Sequence, residues 1–285
     1  AGKMSAPFPE QWTSPHGRAL PVLGEKLVWM GILNATPDSF SDGGRFLEPQ
    51  AARAQAEKLI NDGAQILDIG AESTRPGFEE ISADEEWARL APVLKTVRAA
   101  FPQIAISIDT YKAQTARRAI EAGADIVNDI WGLKKSADMA ATIADLNCPV
   151  ILMHNRAAPP TGDLWQAVFD DLDASLALAQ AAGIKRNQCV LDVGIGFGKT
   201  VAQQLECLRN GQRMRRWNLP VLLGPSRKSA LSKTVGTELR EEATAAAIVW
   251  SLAKDACDIV RVHDVAAMRK FVKIAEELAS APPEI

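Results

Sequence analysis

Tyrosine occurs once in 285 residues, and aromatic residues make up only 6% of the chain. With no stacking series, the usual platform for nucleic acid is missing. Neither sign of charge dominates: 32 Lys and Arg against 35 Asp and Glu leave a net charge of −3. No basic excess grips a phosphate backbone, so no nucleic-acid partner is expected. Long apolar runs are also lacking. The longest, 243–253, spans 11 residues and carries Thr244 and Ser251, too short and too polar to cross a bilayer. No charged segment followed by an apolar block opens the chain, so neither a signal peptide nor membrane association is expected. The four cysteines, Cys148, Cys189, Cys207 and Cys257, stand 41, 18 and 50 residues apart. No pair has zinc-like spacing, and four thiols do not make a disulfide framework at this length. They read as small buried hydrophobes in a reducing compartment, hence a cytoplasmic globular protein.

What is present is a rhythm. After a proline-rich, aperiodic stretch over 1–23, read as an irregular N-terminal arm, eight short apolar runs end abruptly in polar residues. They close at Asn34, in the run from Gln65, at Asp109, Asp129, His154, Gly194, Gly224 and His263, about 33 residues apart on average, close to one β-loop-α-loop unit. Helix-like segments such as 49–61, 83–99, 112–122 and 164–182 lie between them, and the turns at Gly63 and Gly123 stop helices just before the next strand. Continuously apolar strands are buried on both faces, and strict β-α alternation demands a parallel sheet with right-handed crossovers. Eight units predict an α/β fold of the closed (β/α)8 (TIM) barrel type, one domain over 24–285. Chemistry in such barrels sits at the C-terminal ends of the strands. Those ends carry Asn34, Asp68, Asp109, Asn128, Asp129, Met153, His154, Asp192, the turn Ser226-Arg227-Lys228-Ser229, Arg261 and His263.

Several loops carry more than turn chemistry. The first places Phe40 between the acids Asp38 and Asp42 and ends in Gly43-Gly44, as a mobile lid with its hinge would. An EF-hand is excluded, because counting from Asp38 puts Phe40 and Pro49 at ligand positions. The second, Glu72-Ser73-Thr74-Arg75-Pro76-Gly77, sets a guanidinium beside a loop-locking proline, suited to an anionic substrate. Asp109, Asn128 and Asp192 converge inside the rim, where carboxylates accept from a heterocycle with an amidine-like donor edge. Helix caps account for any one of these three more readily than for all of them. The segment from Gly194 to Thr200 misses a P-loop at Val193 and a dinucleotide fingerprint at Lys199. It remains a glycine-rich loop with Phe197 placed to stack on a flat ligand. Gly224 to Ser229, and Arg261 with His263 two positions on, lie where barrels bind phosphate.

In order along nearly the whole chain, NATPDSFSDGG, DIGAESTRPG, SIDTYK, Asn128-Asp129, LMH, DVGIGFGK, SRKS and RVHD resemble the dihydropteroate synthases of folate biosynthesis. The resemblance implies a transferase joining 6-hydroxymethyl-7,8-dihydropterin diphosphate to p-aminobenzoate with release of pyrophosphate, dependent on Mg²⁺ and acting on small molecules alone. It implies pterin binding by Asp109, Asn128, Asp192 and Lys228, with Met153, Phe197 and Gly224 as the pocket's walls and floor. Asn34 would meet the metal-bound diphosphate, with Arg75, Arg261 and His263 on its phosphates. Phe40, Asp42, Thr74, Arg75 and Pro76 would close over p-aminobenzoate, and Ser229 would meet its carboxylate. Asp42, Asp109, Lys228, Arg261 and His263 are thereby the expected catalytic groups. The family is commonly dimeric, so a homodimer is expected, and 243–253 offers a face for it, although an ordinary barrel helix would present the same stripe. Val193 stands where the family has Pro, Asn155 where Met or Gln is usual, and Phe78, beside the p-aminobenzoate and sulfonamide loop, where a small residue is common. A methyltetrahydrofolate-dependent methyltransferase would not need the SFSDGG and STRPG loops, and a non-catalytic pterin binder would not need Asn34, Arg261 and His263.

Overall fold

The computed structural model describes residues 8–35, 48–72 and 79–280. Eight parallel strands close on themselves in sequence order: β1 (Val28–Asn34), β2 (Ile66–Gly70), β3 (Ala105–Asp109), β4 (Ile126–Asp129), β5 (Val150–Met153), β6 (Cys189–Asp192), β7 (Val221–Leu223) and β8 (Ile259–Val262). β8 returns to β1 through the register Val28 to Ile259, which closes the barrel. Between the strands run α1 (Pro49–Asn61), α2 (Ala83–Ala100), α3 (Ala113–Glu121), α4 (Met139–Leu146), α5 (Leu164–Ala182) and α6 (Val201–Arg209). Two helices, α7 (Ser229–Val235) and α8 (Arg240–Ala253), fill the last interval, and α9 (Val265–Ser280) follows β8. The (β/α)8 barrel expected from the alternation is the fold observed.

Local signals set the helix limits. Ser82 and Asp163 cap α2 and α5 by accepting from Glu85 N–H and Gln166 N–H, and a reciprocal Thr200–Gln203 capping box opens α6. Four strands end earlier than the hydropathy pattern predicts, β7 by the single residue Gly224. β6 stops at Asp192 because its Oδ1 accepts the Gly194 N–H at 2.8 Å and turns the chain. β5 stops before His154, and β8 before His263.

Side-chain parity divides the strands between two cores. Outward residues such as Leu67, Ile106, Val127, Leu152 and Val260 pack with the helices in one large cluster. Inward residues Met30, Ile66, Ala105, Ile126, Ile151, Val190, Leu222 and Ile259 form a separate apolar core inside the barrel. Two residues further along, the inward positions of five of the eight strands turn polar: Asp68, Ser107, Asn128, Asp192 and Arg261. Apolar below and polar above, the barrel interior is the floor of a site.

Residues 8–27 contain no helix or strand, yet they are firmly placed. Trp12 and Leu23 join the inner core, and Trp12 Nε1 donates to the Pro21 carbonyl at 2.8 Å. Ser14, Arg18 and Arg98 converge on the buried Asp125, and His16 Nε2 lies between the carbonyls of Ile120 and Ala124. Composition alone gave no sign of this plug, since the contacts of Ser14, His16 and Arg18 each reach more than a hundred residues along the chain.

Candidate active site

The site is built on the inward positions at the C-terminal rim. In the strand register Asn34 pairs with Gly70, Gly70 with Asp109, and Asp109 with Asn128, so four strand ends stand side by side. Met153 and Asp192 pair in the same way across β5 and β6. Gly70 makes room here: a Cβ on it would sit 3.2 Å from Asp109 Cβ and 3.4 Å from its Oδ2.

Arg261 reaches from β8 across the mouth. Its Nε donates to Asp68 Oδ2 at 2.6 Å and its Nη2 to Asp109 Oδ2 at 3.4 Å. Asn128 Nδ2 donates to the same Asp68 oxygen at 3.3 Å. Asp68 is wholly buried, and its Oδ1, together with Asn128 Oδ1, has no hydrogen-bond partner among the described residues. Such acceptors are costly to leave unpaired and are matched by a donor-rich ligand. Lys228 lies within electrostatic reach of Asp109, Asp192 and Arg261, with Nζ 4.5 Å from the centroid of the Phe197 ring. The preceding Arg227 has φ +55°, and its Nε is paired with Glu241 at 2.8 Å. A non-glycine residue in that region is held there by its surroundings.

Burial, reinforced by Asp68, pushes the Asp109 carboxyl up to about 7 against the pull of Arg261. Burial likewise raises Asp192, opposed by the Gly194 N–H and Lys228. It lowers Lys228 to about 8, aided by the charge of Arg261 and resisted by Asp192 and Asp109. Burial works against Arg261 too, but Asp68 and Asp109 outweigh it and hold the guanidinium above its ordinary value. Two acids and two bases with displaced titrations in one concave rim are what a working site requires.

An apolar wall flanks the polar ring. Met153, Tyr111 and Ile130 pack together, with Trp131 and Phe197 against them. A Cβ on Gly224 would meet nothing within 4 Å, so the rim is open above it. His263 lies just past β8; its Nδ1 is 2.7 Å from Ser226 Oγ, and its N–H donates to the same hydroxyl at 3.1 Å. Asn34 and Ser229, the latter opening α7, are exposed at the rim. Asp129 sits apart from this set: its two oxygens accept from Trp131 N–H and Leu133 N–H and hold the loop after β4. Phe40, Asp42, Gly43, Gly44, Thr74, Arg75, Pro76 and Phe78 lie outside the described residues.

Sequence reasoning assigned no role to Asp68, Ser226 or Tyr111. Asp68 had a usable signal, sharing strand parity with Ile66 two positions earlier. Ser226 and Tyr111 sit in loops, where parity fails. Tyr111 also lines a cavity of about 340 Å³ on the flank of the mouth with Glu80, Lys112 and Lys135. No inward strand residue lines it.

Residues 30–263 match the family described as pterin binding enzyme. The dihydropteroate synthase of Clostridium beijerinckii is 46% identical over 256 residues, covering 89% of this chain and 95% of that one. Two solved structures superpose on the fold. One is the dihydropteroate synthase of Clostridium difficile in the presence of pteroic acid, with TM-score 0.85, 40% identity, and 90% of this chain and 98% of that chain covered. The other is that of Xanthomonas albilineans with 4-aminobenzoic acid, with TM-score 0.87, 36% identity, and 95% and 100% covered. With this barrel, this rim and these relatives, the chain belongs to the dihydropteroate synthases of the pterin-binding enzyme family.

Proposed function

We propose that the chain condenses 6-hydroxymethyl-7,8-dihydropterin diphosphate with p-aminobenzoate to give 7,8-dihydropteroate and pyrophosphate. The observation that carries this reading is the buried ring of Asp68, Asp109, Asn128 and Asp192 with Lys228 and Arg261, set on an apolar floor and beside an aromatic wall. A flat heterocycle with amide and amidine N–H groups satisfies those carboxylates, and Met153 and Phe197 cover its faces. Gly224 leaves the floor open to it.

The methylene C–O bond breaks with its electron pair leaving on the diphosphate, and the aryl amine forms the new C–N bond and loses a proton. Arg261, His263 and, in the loop outside the described residues, Arg75 take the diphosphate's negative charge. Positive charge developing on the methylene is delocalised into the ring, where the carboxylates of Asp109 and of the lid residue Asp42 oppose it. No enzyme nucleophile is needed, so positioning and water exclusion carry the step. Ser229 meets the carboxylate of p-aminobenzoate, with Phe40, Thr74, Arg75 and Pro76 closing over it.

The reading implies Mg²⁺. No group of three or more His, Cys, Asp or Glu among the described residues could hold a metal, and the exposed Asn34 amide fits an ion that keeps most of its ligands from phosphate and water. Bound there, Mg²⁺ supplies charge neutralisation of the leaving group.

Incubating the protein with both substrates and Mg²⁺ tests the function directly. Equimolar dihydropteroate and pyrophosphate, abolished by EDTA, is the expected result. Pterin binding without product would overturn the synthase in favour of a non-catalytic pterin-binding protein.

Two further outcomes follow from the geometry. Gly70→Ala forces Asp109 aside by a few tenths of an ångström and should weaken binding of 6-hydroxymethyl-7,8-dihydropterin about tenfold, with the melting temperature little changed. Affinity equal to the parent's would show that Asp109 does not touch the ring. The same binding should be tightest between pH 7 and 8, the interval that the Asp109 and Lys228 values bracket. Below it Asp109 takes up a proton and ceases to be a charged acceptor; above it Lys228 loses its charge. A titration by calorimetry that is flat from pH 6 to 9 would remove both groups from the pocket.

A homodimer and a cytoplasmic location belong to the same reading. Val235, Leu239, Trp250, Phe271, Ile274 and Leu278 are exposed large hydrophobics on or between α7, α8 and α9, an apolar surface of the kind that a partner subunit covers. Trp250→Glu should shift the sedimentation of a dimer to that of a monomer; an unchanged dimer would place the interface elsewhere. The four cysteines are unpaired and buried, and no described helix is long and apolar enough to cross a membrane.

A further inference from the structure

Beneath the glycine-rich turn lies a buried charged cluster for which the reaction above has no use. Lys199, only 7% exposed, directs Nζ at the carbonyls of Gly194 and Phe197, at 3.0 and 3.1 Å, and at His154 Nδ1, at 2.8 Å. Three acceptors match the three protons of an ammonium. His154 is wholly buried, and its Nε2 lies 2.9 Å from Asp171 Oδ2 on α5. That oxygen also takes Arg156 Nε at 2.6 Å. With Lys199 donating, Nδ1 must be bare and the proton must sit on Nε2, facing Asp171. Burial, and then the charge of Lys199, lowers His154 to about 3, so the ring stays neutral in this role.

The turn itself is laid flat on the chain after β5. Gly194, at φ +75°, could not carry a Cβ without placing it 2.1 Å from the His154 carbonyl, and Gly198, at φ +51°, would place one 2.3 Å from that of Arg156. Within the turn, Gly194 N–H donates to Asp192 Oδ1 and Phe197 N–H to the Gly194 carbonyl at 3.1 Å. Whatever holds the carbonyls of Gly194 and Phe197 therefore sets both the Asp192 carboxylate and the Phe197 ring.

We infer that Lys199 is a positioning residue for pterin binding, clamping the 194–197 turn onto a neutral His154 whose tautomer Asp171 selects. Lys199 touches no substrate. It acts through Asp192 and Phe197, and the inference rests on the pterin pocket proposed above. A cluster that served stability alone would change the melting temperature and leave the affinity of the folded protein as it was.

The test compares the parent with Lys199→Met and Asp171→Ala. Losing a charged donor from three acceptors is expected to weaken binding of 6-hydroxymethyl-7,8-dihydropterin about 10- to 100-fold by calorimetry. The KM for the pterin diphosphate should rise by the same factor while kcat stays within about threefold, because the clamp acts on ring placement and not on the leaving group. Hydrogen exchange should accelerate over 194–198 and stay unchanged in the barrel strands. Asp171→Ala should do the same to a smaller degree, and it carries the comparison should Lys199→Met fail to fold, since Asp171 is partly exposed and its loss leaves the ammonium in place. A folded variant that binds pterin as tightly as the parent, or one in which 194–198 exchanges no faster, overturns the inference. A parent that binds no pterin overturns the proposed function, and this inference with it.

Discussion

Arg261→Ala should lower kcat/KM for the pterin diphosphate by about 10³ or more, and it should cost stability as well. The guanidinium holds two carboxylates, Asp68 at 2.6 Å and Asp109 at 3.4 Å. Asp68 is completely buried, so removing its partner strands a charge inside the barrel, a loss of about 3–5 kcal/mol. The protein escapes part of that when Asp109, already raised by burial, takes up a proton. A second replacement, Asp68→Asn, should therefore restore much of the stability while restoring none of the rate. Urea unfolding and steady-state kinetics on the single and double variants separate the two effects. Arg261→Lys keeps a charge but loses the planar fork, and should recover stability better than activity. Activity of Arg261→Ala within tenfold of the parent would show that the leaving group's charge is met elsewhere.

Lys228→Ala should raise the Kd for 6-hydroxymethyl-7,8-dihydropterin by about 100-fold. Lys228 is within electrostatic reach of both Asp109 and Asp192, and it lies over the Phe197 ring at 4.5 Å, an arrangement worth about 0.5–2 kcal/mol. Its loss removes a donor to the heterocycle, takes from Asp192 and Asp109 a charge that favours their ionised forms, and drives both carboxyl groups further up. The variant's remaining affinity should accordingly fall off at a higher pH than the parent's acid limb. Unchanged affinity would assign Lys228 to holding the rim together and not to the ligand.

Much of the fold was readable in the sequence because it rests on local rules. Eight apolar runs at a regular interval leave a parallel sheet few ways to close; α1 and α5 begin where the pattern puts them because Pro49 and Asp163 act within one turn, and α5 ends there because Gly183 takes the left-handed cap. The strand ends were read less well. Asp192, His154 and His263 lie within continuous patterns, and what ends or follows each strand is a contact: the Gly194 N–H on Asp192, Lys199 and Asp171 on His154, Ser226 on His263. Composition could not see those partners.

The site divides along the same line. Asp109, Asn128, Asp192, Lys228 and Arg261 were legible because each is polar where an apolar strand ends, and because motifs in order point to one family. Asp68 carries the same kind of signal, yet its part as the anchor of Arg261 depends on two strands, β2 and β8, far apart in sequence, that closure of the barrel sets on either side of β1. In the sequence Lys199 is only the residue that spoils a dinucleotide fingerprint; its buried ammonium under the turn became visible only with the chain folded.

The sequence by itself determined the alternation, the barrel and the chemical identity of the rim, since periodicity, capping and residue type are properties of neighbours along the chain. The tertiary structure alone decided which carboxylate holds which cation, how far burial shifts Asp109 and Lys228, and that residues 8–27 plug the base of the barrel. Those are effects of distance and desolvation between groups up to nearly two hundred residues apart, and no local pattern encodes them.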